Sequence, residues 1–288
     1  MAVISEDYQS LVLDDMARYV GLTKPVRATI LERLLTKKLS VDKLHPNPYD
    51  EFSETDVGPN YDIINNYADS MRTALWQSKD VIKEPIIVEK MSVGGYMILN
   101  GHHRWMAAHR TGVKKVPVQV VNVAPDEEIF AAISKSKNIK CVSIDLDEVL
   151  LADRSTYPEK VKMSLLSKKM FPKILRFNAG ALINELRREG FDVWVYTRGF
   201  HSSEYINFLM KHQHTKVDGI VNGLSRRKSK EGLRNAFINK YKYSLHVDNA
   251  GIICVNNAIR ECDTYDIDTT QNNWAADVMK QISRLKFD

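Results

Sequence analysis

The sequence predicts an α/β protein made of two different domains, because the order of its apolar segments changes near residue 139. Before that point, helical patterns surround one predicted hairpin. After it, short runs rich in β-branched residues alternate with helical patterns, which is typical of a parallel sheet covered by helices. We therefore expect an α+β domain followed by a doubly wound parallel-sheet domain.

The composition supports ordinary folded domains, since 44% of the 288 residues are hydrophobic and 27% are charged. The net charge of +5 is compatible with nucleic acid or phosphorylated ligands without selecting either. Three cysteines without a CxxC spacing, and a start that lacks a signal-peptide pattern, predict a cytoplasmic protein. No apolar run approaches the roughly 20 residues that span a bilayer, so no membrane partner is expected.

The expected division has four parts: a helical segment over 1–38, an α+β domain over 39–124, a linker helix over 125–138 and a parallel-sheet domain over 139–288. Two helices are predicted within the first part, with Ser5 and Thr23 as their caps. A helical hairpin is favoured over a DNA-binding helix-turn-helix for this pair.

The elements of the α+β domain follow from periodicity and from turn residues. Residues 39–60 are polar and rich in proline and glycine, which predicts a loop, and 61–79 have the spacing of an amphipathic helix. Residues 85–89 and 96–99 then flank a Gly-Gly turn, as in a hairpin. A helix beginning at Asn100, a strand over 116–121 and a connecting helix complete the domain.

The parallel-sheet domain is predicted from strand and helix patterns that alternate. The expected strands cover residues 139–146, 191–197, 217–221 and 243–248, and the expected helices cover 173–189, a segment after Ser202 or Ser203, and 230–241. Only about 20 residues separate the first strand from its helix, and no later insertion is large. We therefore expect a minimal cap over the carboxyl edge of this sheet.

Polar groups stand at the ends of three predicted strands. Asp145 and Asp147 end the first, Thr197 the second and Asp248 the last, while Lys228 and Lys230 precede the last strand. In an open parallel sheet these ends meet at one edge. One carboxylate there can attack phosphorus while a second handles protons, and a hydroxyl and an ammonium can hold the phosphoryl oxygens. The sequence thus predicts phosphoryl transfer assisted by Mg²⁺.

This ordered set, over about 139–270, resembles the haloacid dehalogenase (HAD) superfamily of phosphohydrolases. The family pattern DxDx(V/T) is met by Asp145-Leu-Asp147-Glu-Val149, and an apolar strand ends at Thr197. The resemblance implies Asp145 as nucleophile, Asp147 as general acid/base and Thr197 as a phosphoryl ligand. The enzyme it implies is a phosphoric monoester hydrolase that works through an aspartyl-phosphate.

The remaining HAD motifs leave alternatives open. The lysine of the third motif is Lys230, with Lys228 as competitor, and the metal ligands implied are Asp145, Asp147 and Asp248. Asn249 follows Asp248 where the family usually has a second acid, and Glu148 replaces a common glycine. One magnesium ligand is therefore expected from Asn249 or from a water molecule.

A second polar set lies in the α+β domain. Asn100, Gly101, His102, His103 and Arg104 join a predicted strand to a predicted helix. Amides at a helix start attract anions, and an arginine fork binds phosphate oxygens. The Pro-rich turn 44–52 precedes this set and contains Asn47 and two acids.

Both segments together resemble the ParB/sulfiredoxin superfamily over about 37–122. The resemblance implies binding of nucleotide phosphates by Asn100, Gly101, His102, His103, Arg104 and Asn47, with ATP or CTP as the nucleotide. The His-His-Arg motif is closer to sulfiredoxins and to free serine kinases of this fold, but the sulfiredoxin cysteine is absent from it. In the kinases an acid near the proline turn serves as base, and Asp50, Glu51 and Glu54 are the alternatives here. The alternative to phosphate binding is that His102 and His103 only hydrogen-bond the start of a helix.

The sequence therefore predicts a nucleotide-binding domain joined to a HAD phosphatase, with a kinase and a nucleotidase as the alternatives for the activity of the first domain. The substrate classes are a nucleotide, a nucleic-acid phosphate or a phosphorylated small molecule, so nucleic acid stays an open partner. The alternative is a nucleotide-gated DNA-binding module whose phosphatase fold is vestigial. Among other residues, the sequence predicts solvated His201, His212 and His214 and four buried tryptophans.

Overall fold

The computed structural model describes residues 4–19, 24–54, 56–77, 82, 84–152, 158, 173–224, 227–268 and 271–287. The described residues form two compact units, one within Met1–Val123 and Ser225–Lys228, the other within Ala124–Leu224 and Ser229–Asp288. Each unit has its own hydrophobic core. Within the described residues, no helix is long and apolar enough to cross a membrane.

The first unit is a mixed sheet with helices. Its described elements are α1 (Ile4–Tyr19), α2 (Ile30–Leu35), β1 (Lys38–Ser40), β2 (Leu44–His45), α3 (Tyr61–Trp76), β3 (Ile86–Lys90), β4 (Tyr96–Asn100), α4 (His102–Thr111) and β5 (Lys115–Val120). The strand order is β1-β5-β3-β4-β2. The predicted hairpin is confirmed, since β3 and β4 pair antiparallel, while β3 pairs in parallel with β5 and β4 with β2.

The helices of this unit follow their sequence signals. The Asn60 side chain accepts hydrogen bonds from the amides of Asp62 and Ile63 and so caps α3. Ile64, Ala68 and Met71 form the buried face of α3. Helix α3 packs against α4, which contacts β3 in turn. This packing fixes the start of α4 beside the β3–β4 hairpin.

Three expectations for the first unit are wrong. The second helix begins at Ile30 with Thr29 as its cap, whereas Thr23 lies outside the described residues. Residues 39–60, where the sequence predicts a loop, contain β2 and most of β1. Both strands are short and form because their backbones pair with those of β4 and β5. Trp76 is 86% exposed instead of buried, since it ends α3 on the side away from the core.

The second unit is a larger α/β structure. Its described elements are α5 (Asp126–Lys135), β6 (Lys140–Asp145), α6 (Ala179–Arg188), β7 (Phe191–Thr197), α7 (Ser203–His212), β8 (Gly219–Asn222), α8 (Lys230–Lys240), β9 (Tyr243–Val247), β10 (Gly251–Asn256), β11 (Glu261–Asp266) and α9 (Trp274–Ile282). The strand order is β11-β10-β9-β6-β7-β8. The four strands β9, β6, β7 and β8 are parallel, as predicted.

The sheet carries helices on both faces. Trp194 of β7 contacts Phe237 of α8, and Phe191 lies near α6 and α9 together with Phe287. Residues 191 and 194 point to opposite faces because side chains alternate along a strand. Helix α5, which the sequence assigns to a linker, packs on α8 and places Ile129 and Ile133 in the core of this unit.

The sequence missed the far edge of this sheet. Strands β10 and β11 pair antiparallel beside β9, so the sheet is mixed and not wholly parallel as expected. Helix α9 was missed as well. Nearly every residue of β11 is exposed, so this strand lacks the apolar alternation that predicts strands. Most of the 153–172 segment, where the sequence predicts a minimal cap, lies outside the described residues.

Candidate functional site

The start of α4 is shaped by a glycine that no other residue replaces easily. Strand β4 ends at Asn100, and Gly101 follows with a φ of +104° before α4 begins. A Cβ atom on Gly101 would lie 2.9 Å from Nη2 and 3.1 Å from Nε of Arg104. The missing side chain therefore lets the Arg104 guanidinium lie directly against the helix start, where the partial positive charge of the helix favours anions.

Arg104 is buried but not fully hydrogen-bonded. Its side chain is only 8% exposed. Nη1 donates to Oε2 of Glu84 at 2.6 Å, and Nη2 donates to Oδ1 of Asn100 at 3.2 Å. The buried Nε has no hydrogen-bond partner among the described residues. A guanidinium has five donors and keeps its charge, so this group is prepared for a further acceptor.

His102 joins the start of α4 to the proline turn. Its Nε2 accepts a hydrogen bond from the Asn47 amide at 3.1 Å, which places the ring proton on Nδ1. That Nδ1 lies 3.6 Å from Oδ1 of Asp50. Phe52 stacks on the His102 ring with 5.2 Å between centroids. The structure thus brings Asn47, Asp50 and His102 together, as the sequence predicts for one site.

The acids of the turn differ in exposure. Asp50 is buried, and its Oδ1 accepts the amide of Phe52, whereas Glu51 and Glu54 are exposed. The Asn47 side chain accepts the Tyr49 amide, so the turn is held from inside. Only Asp50 of these three acids is placed beside His102.

His103 hydrogen-bonds the start of a helix, which is one of its two predicted roles. Its Nε2 accepts a hydrogen bond from the Asn60 amide at 3.1 Å, and its edge contacts Phe52. Asn60 is the cap of α3, so His103 positions one helix start against another. Nucleotide binding by His103 stays a prediction.

In the second unit, Asp145 ends the central strand β6. Its Oδ1 accepts the Glu148 amide at 2.8 Å and thereby caps a π-helical turn over Leu146–Leu150. Burial raises the pKa of Asp145, although the hydrogen bond from the Glu148 amide opposes this. The carboxyl ends of β6 and β9 form the point where the strand order reverses, the usual ligand position in such sheets.

Asp147 lies in a small polar cluster with Thr197 and His201. The Thr197 hydroxyl donates to Oδ2 of Asp147, and Nε2 of His201 lies 2.8 Å from Oδ1. Burial alone would raise the pKa of Asp147, but the hydrogen bonds from His201 and Thr197, with the charge of Lys173, hold it below its usual range. The prediction that His201 is merely solvated is therefore wrong, while His212 and His214 are exposed as expected.

These pKa directions oppose the roles that the HAD resemblance implies. The implied nucleophile, Asp145, is harder to ionise than an ordinary aspartate, and the implied acid, Asp147, is easier to ionise. Binding of a phosphoryl group would change both environments. The assignment of roles to the two acids accordingly stays a prediction.

Two further residues of the C-terminal set, Asp248 and Lys230, lie just after β9 and at the start of α8. Asp248 follows β9, and its Oδ1 accepts the amides of Ala250 and Gly251. Burial lowers the pKa of His246, and the charges of Asp248 and Asp145 both oppose that shift, so both acids lie near this ring. Lys230 begins α8, and Lys228 belongs to the first unit.

The predicted magnesium site is not assembled from three carboxylates in this arrangement. Both oxygens of Asp147 are engaged by Thr197 and His201, and one oxygen each of Asp145 and Asp248 accepts backbone amides. Across the described ranges, no group of three or more His, Cys, Asp or Glu side chains is placed to hold a metal ion. The side chains as they lie do not fit an ion shared by all three acids, and Mg²⁺ stays a prediction.

Comparison with known proteins finds similarity over most of the first unit and the start of the second. Residues 27–137 match the family model of the ParB N-terminal domain. A probable chromosome-partitioning protein ParB of Vibrio cholerae is 32% identical over 85 residues, 30% of this chain and 26% of its own length. The ATP-dependent L-serine kinase SbnI of Staphylococcus aureus is 41% identical over 46 residues, 16% of this chain and 18% of its own.

A further relative and a solved structure are also similar to part of this chain. An uncharacterized protein of Methanocaldococcus jannaschii is 30% identical over 151 residues, 49% of this chain and 56% of its own length. The chain thus spans between about a fifth and just over half of these relatives. A truncated ParB of Caulobacter crescentus, solved with CTP-gamma-S, is 23% identical, with 34% of this chain and 59% of that chain covered and a TM-score of 0.24. A score this low carries no geometry over to the present chain.

Proposed function

We propose that the ParB-like N-terminal domain matched by residues 27–137 binds the phosphate groups of a nucleotide at the start of α4. The observation that carries this proposal is Arg104, whose guanidinium is buried against Gly101 with its Nε unpartnered among the described residues. A phosphate oxygen would supply the acceptor that this group lacks. ATP and CTP are the nucleotides that the family resemblance implies, and the similarity to an ATP-dependent kinase supports testing ATP first.

The same geometry suggests how this domain would act as a kinase. Asp50 lies 3.6 Å from His102, and the turn that carries it is fixed to His102 through Asn47. A general base must be held within reach of the hydroxyl that it deprotonates. Among Asp50, Glu51 and Glu54, we assign this role to Asp50, because it is the acid held next to the helix start.

Nucleotide binding is tested by titration calorimetry of the full chain with ATP and CTP. Arg104→Ala is expected to weaken binding by at least about 100-fold, as for a lost charge-assisted contact of roughly 3 kcal/mol. Arg110→Ala is the matched control, since it removes the same charge from the same helix, where Arg110 bonds Asn65. Equal affinities for the two variants would remove Arg104 from the site.

For the second unit, we propose a HAD-type phosphohydrolase or phosphotransferase that acts on a phosphorylated substrate. Support comes from Asp145 at the reversal point of the strand order and from Asp147 and Thr197, which are hydrogen-bonded beside it. The Asp145 carboxylate would attack phosphorus and form an aspartyl-phosphate, while the ester oxygen leaves with a proton from Asp147. Asp147 would then accept a proton from the water that hydrolyses the intermediate, and the Thr197 hydroxyl would hold a phosphoryl oxygen.

This second activity is tested by a screen of nucleotides, phosphorylated oligonucleotides and small phosphate esters, run with and without Mg²⁺. Asp145→Asn is expected to abolish turnover while nucleotide binding by the first unit is unchanged. Glu148→Gln, which removes an exposed charge from the same turn, is the control for electrostatics. Turnover by Asp145→Asn at the wild-type rate would refute the aspartyl-phosphate. Binding of DNA that weakens steeply with salt, without any turnover, would favour the nucleotide-gated DNA-binding alternative.

A further inference from the structure

The ion pair between Glu84 and Arg104 is strongly asymmetric. The Glu84 side chain is 80% exposed, whereas the Arg104 side chain is 8% exposed. The two are joined by one hydrogen bond of 2.6 Å. Glu84 can therefore leave the pair for water at little cost, but Arg104 cannot, because a buried guanidinium needs an anion or several acceptors around it.

The backbone keeps Glu84 close to this guanidinium. Pro85 follows it directly, which restricts Glu84 to extended conformations, and β3 begins at the next residue, Ile86. The Ile86 side chain lies 3.3 Å from the position that a Cβ atom of Gly101 would occupy. The backbone therefore holds the Glu84 carboxylate at the start of α4.

A carboxylate and a phosphate present the same kind of oxygen to an arginine fork. We infer that Glu84 is an internal anion that occupies Arg104 in the empty site and that an incoming phosphate chain must displace. This inference rests on the proposed nucleotide site, and it adds a residue that sets the affinity of that site. Glu84 makes the site selective for ligands whose phosphate charge exceeds that of one carboxylate.

The test compares phosphate binding by wild type, Glu84→Gln and Glu84→Asp, measured by calorimetry with inorganic tripolyphosphate, ATP and CTP. Glu84→Gln is expected to bind all three probes about two- to tenfold more tightly than wild type. This is the gain in affinity expected when a carboxylate that competes with phosphate for Arg104 is removed. Because the competition concerns phosphate alone, the gain should be the same for tripolyphosphate as for the nucleotides. Glu84→Asp, which keeps the charge, should return the affinity towards that of wild type.

Asp69→Asn is the matched control, since it removes one carboxylate from an exposed pair with Arg72 in the same unit. Its affinities should stay within about twofold of wild type. Unchanged or weaker binding by Glu84→Gln relative to Asp69→Asn would overturn the inference, and weaker binding would instead indicate that Glu84 contacts the ligand. If Glu84→Gln gives that result while wild type binds and Arg104→Ala does not, the nucleotide site stands and only the role of Glu84 is lost. If Glu84→Gln and wild type both bind none of the probes, the site and the inference fail together.

Discussion

Replacing Gly101 with alanine should damage the nucleotide site more than it damages the fold. An alanine at a φ of +104° costs about 1–2 kcal/mol, because its Cβ crowds the backbone. The same Cβ would lie 2.9 Å from Nη2 and 3.1 Å from Nε of Arg104, so the guanidinium has to move by a few tenths of an ångström. The hydrogen bonds from Arg104 to Glu84 and Asn100 would lengthen as a result.

The expected effect of Gly101→Ala has two parts, one on the stability of the fold and one on the affinity for nucleotide. Backbone strain lowers the free energy of unfolding of the first unit by about 1–2 kcal/mol. Displacement of a charged donor group weakens its contacts by roughly a further 1.5–3 kcal/mol, which corresponds to at least a tenfold loss of nucleotide affinity. Urea unfolding with hydrogen exchange of the α4 amides measures the first part, and calorimetry with ATP measures the second.

Gly112 at the other end of α4 supplies the control. It also has a positive φ, +71°, but a Cβ there meets no atom within 4 Å. Gly112→Ala should therefore lose similar stability and keep wild-type affinity. If both alanine variants bound ATP equally well, contact between Gly101 and the Arg104 guanidinium could not be what shapes the site.

Three further predictions concern the second unit. Tyr241→Phe removes a hydroxyl that donates to Asp192 at 2.6 Å and accepts from the Trp194 indole at 3.3 Å, and we expect the unfolding free energy to fall by about 1–3 kcal/mol. An unchanged urea midpoint would contradict this. Burial raises the pKa of Cys141 to about 12, so at pH 8 its thiolate fraction is about one in ten thousand, and a thiol reagent should label the exposed Cys262 long before Cys141. Equal labelling rates of the two thiols in the native protein would refute this. The same shift should lower the free energy of unfolding as pH rises above 9.0, the ordinary pKa, because the unfolded thiol ionises first. A free energy of unfolding that stays constant above that pH would contradict it.

Local sequence patterns determined much of the element order. The strand over 191–197 was predicted to the residue, and the helix that ends at Gly112 follows the expected glycine stop. The hairpin of β3 and β4 and the parallel order of four strands follow as well. These features depend on residues close together in the chain, where periodicity and turn chemistry act directly.

Elements without such a local signal were missed. Strand β11 is mostly polar on both faces. It forms an edge strand because its backbone pairs with that of β10. Trp76 has an apolar side chain but ends its helix beyond the core. Apolar character reports that a side chain can be buried, whereas the position of the other elements decides whether it is.

In the candidate sites, too, local patterns predicted which residues are present but not their distant partners. The sequence alone placed Gly101, His102 and Arg104 at one helix start and Asp145, Asp147 and Thr197 at strand ends, since motif spacing and strand order suffice for that. Only the tertiary structure decided their partners: Asn47 reaches His102 across 55 positions, Glu84 reaches Arg104 across 20, and His201 reaches Asp147 across 54. Hydrogen bonds between distant residues depend on how sheets and helices close around them, and no local pattern in the chain encodes that distance.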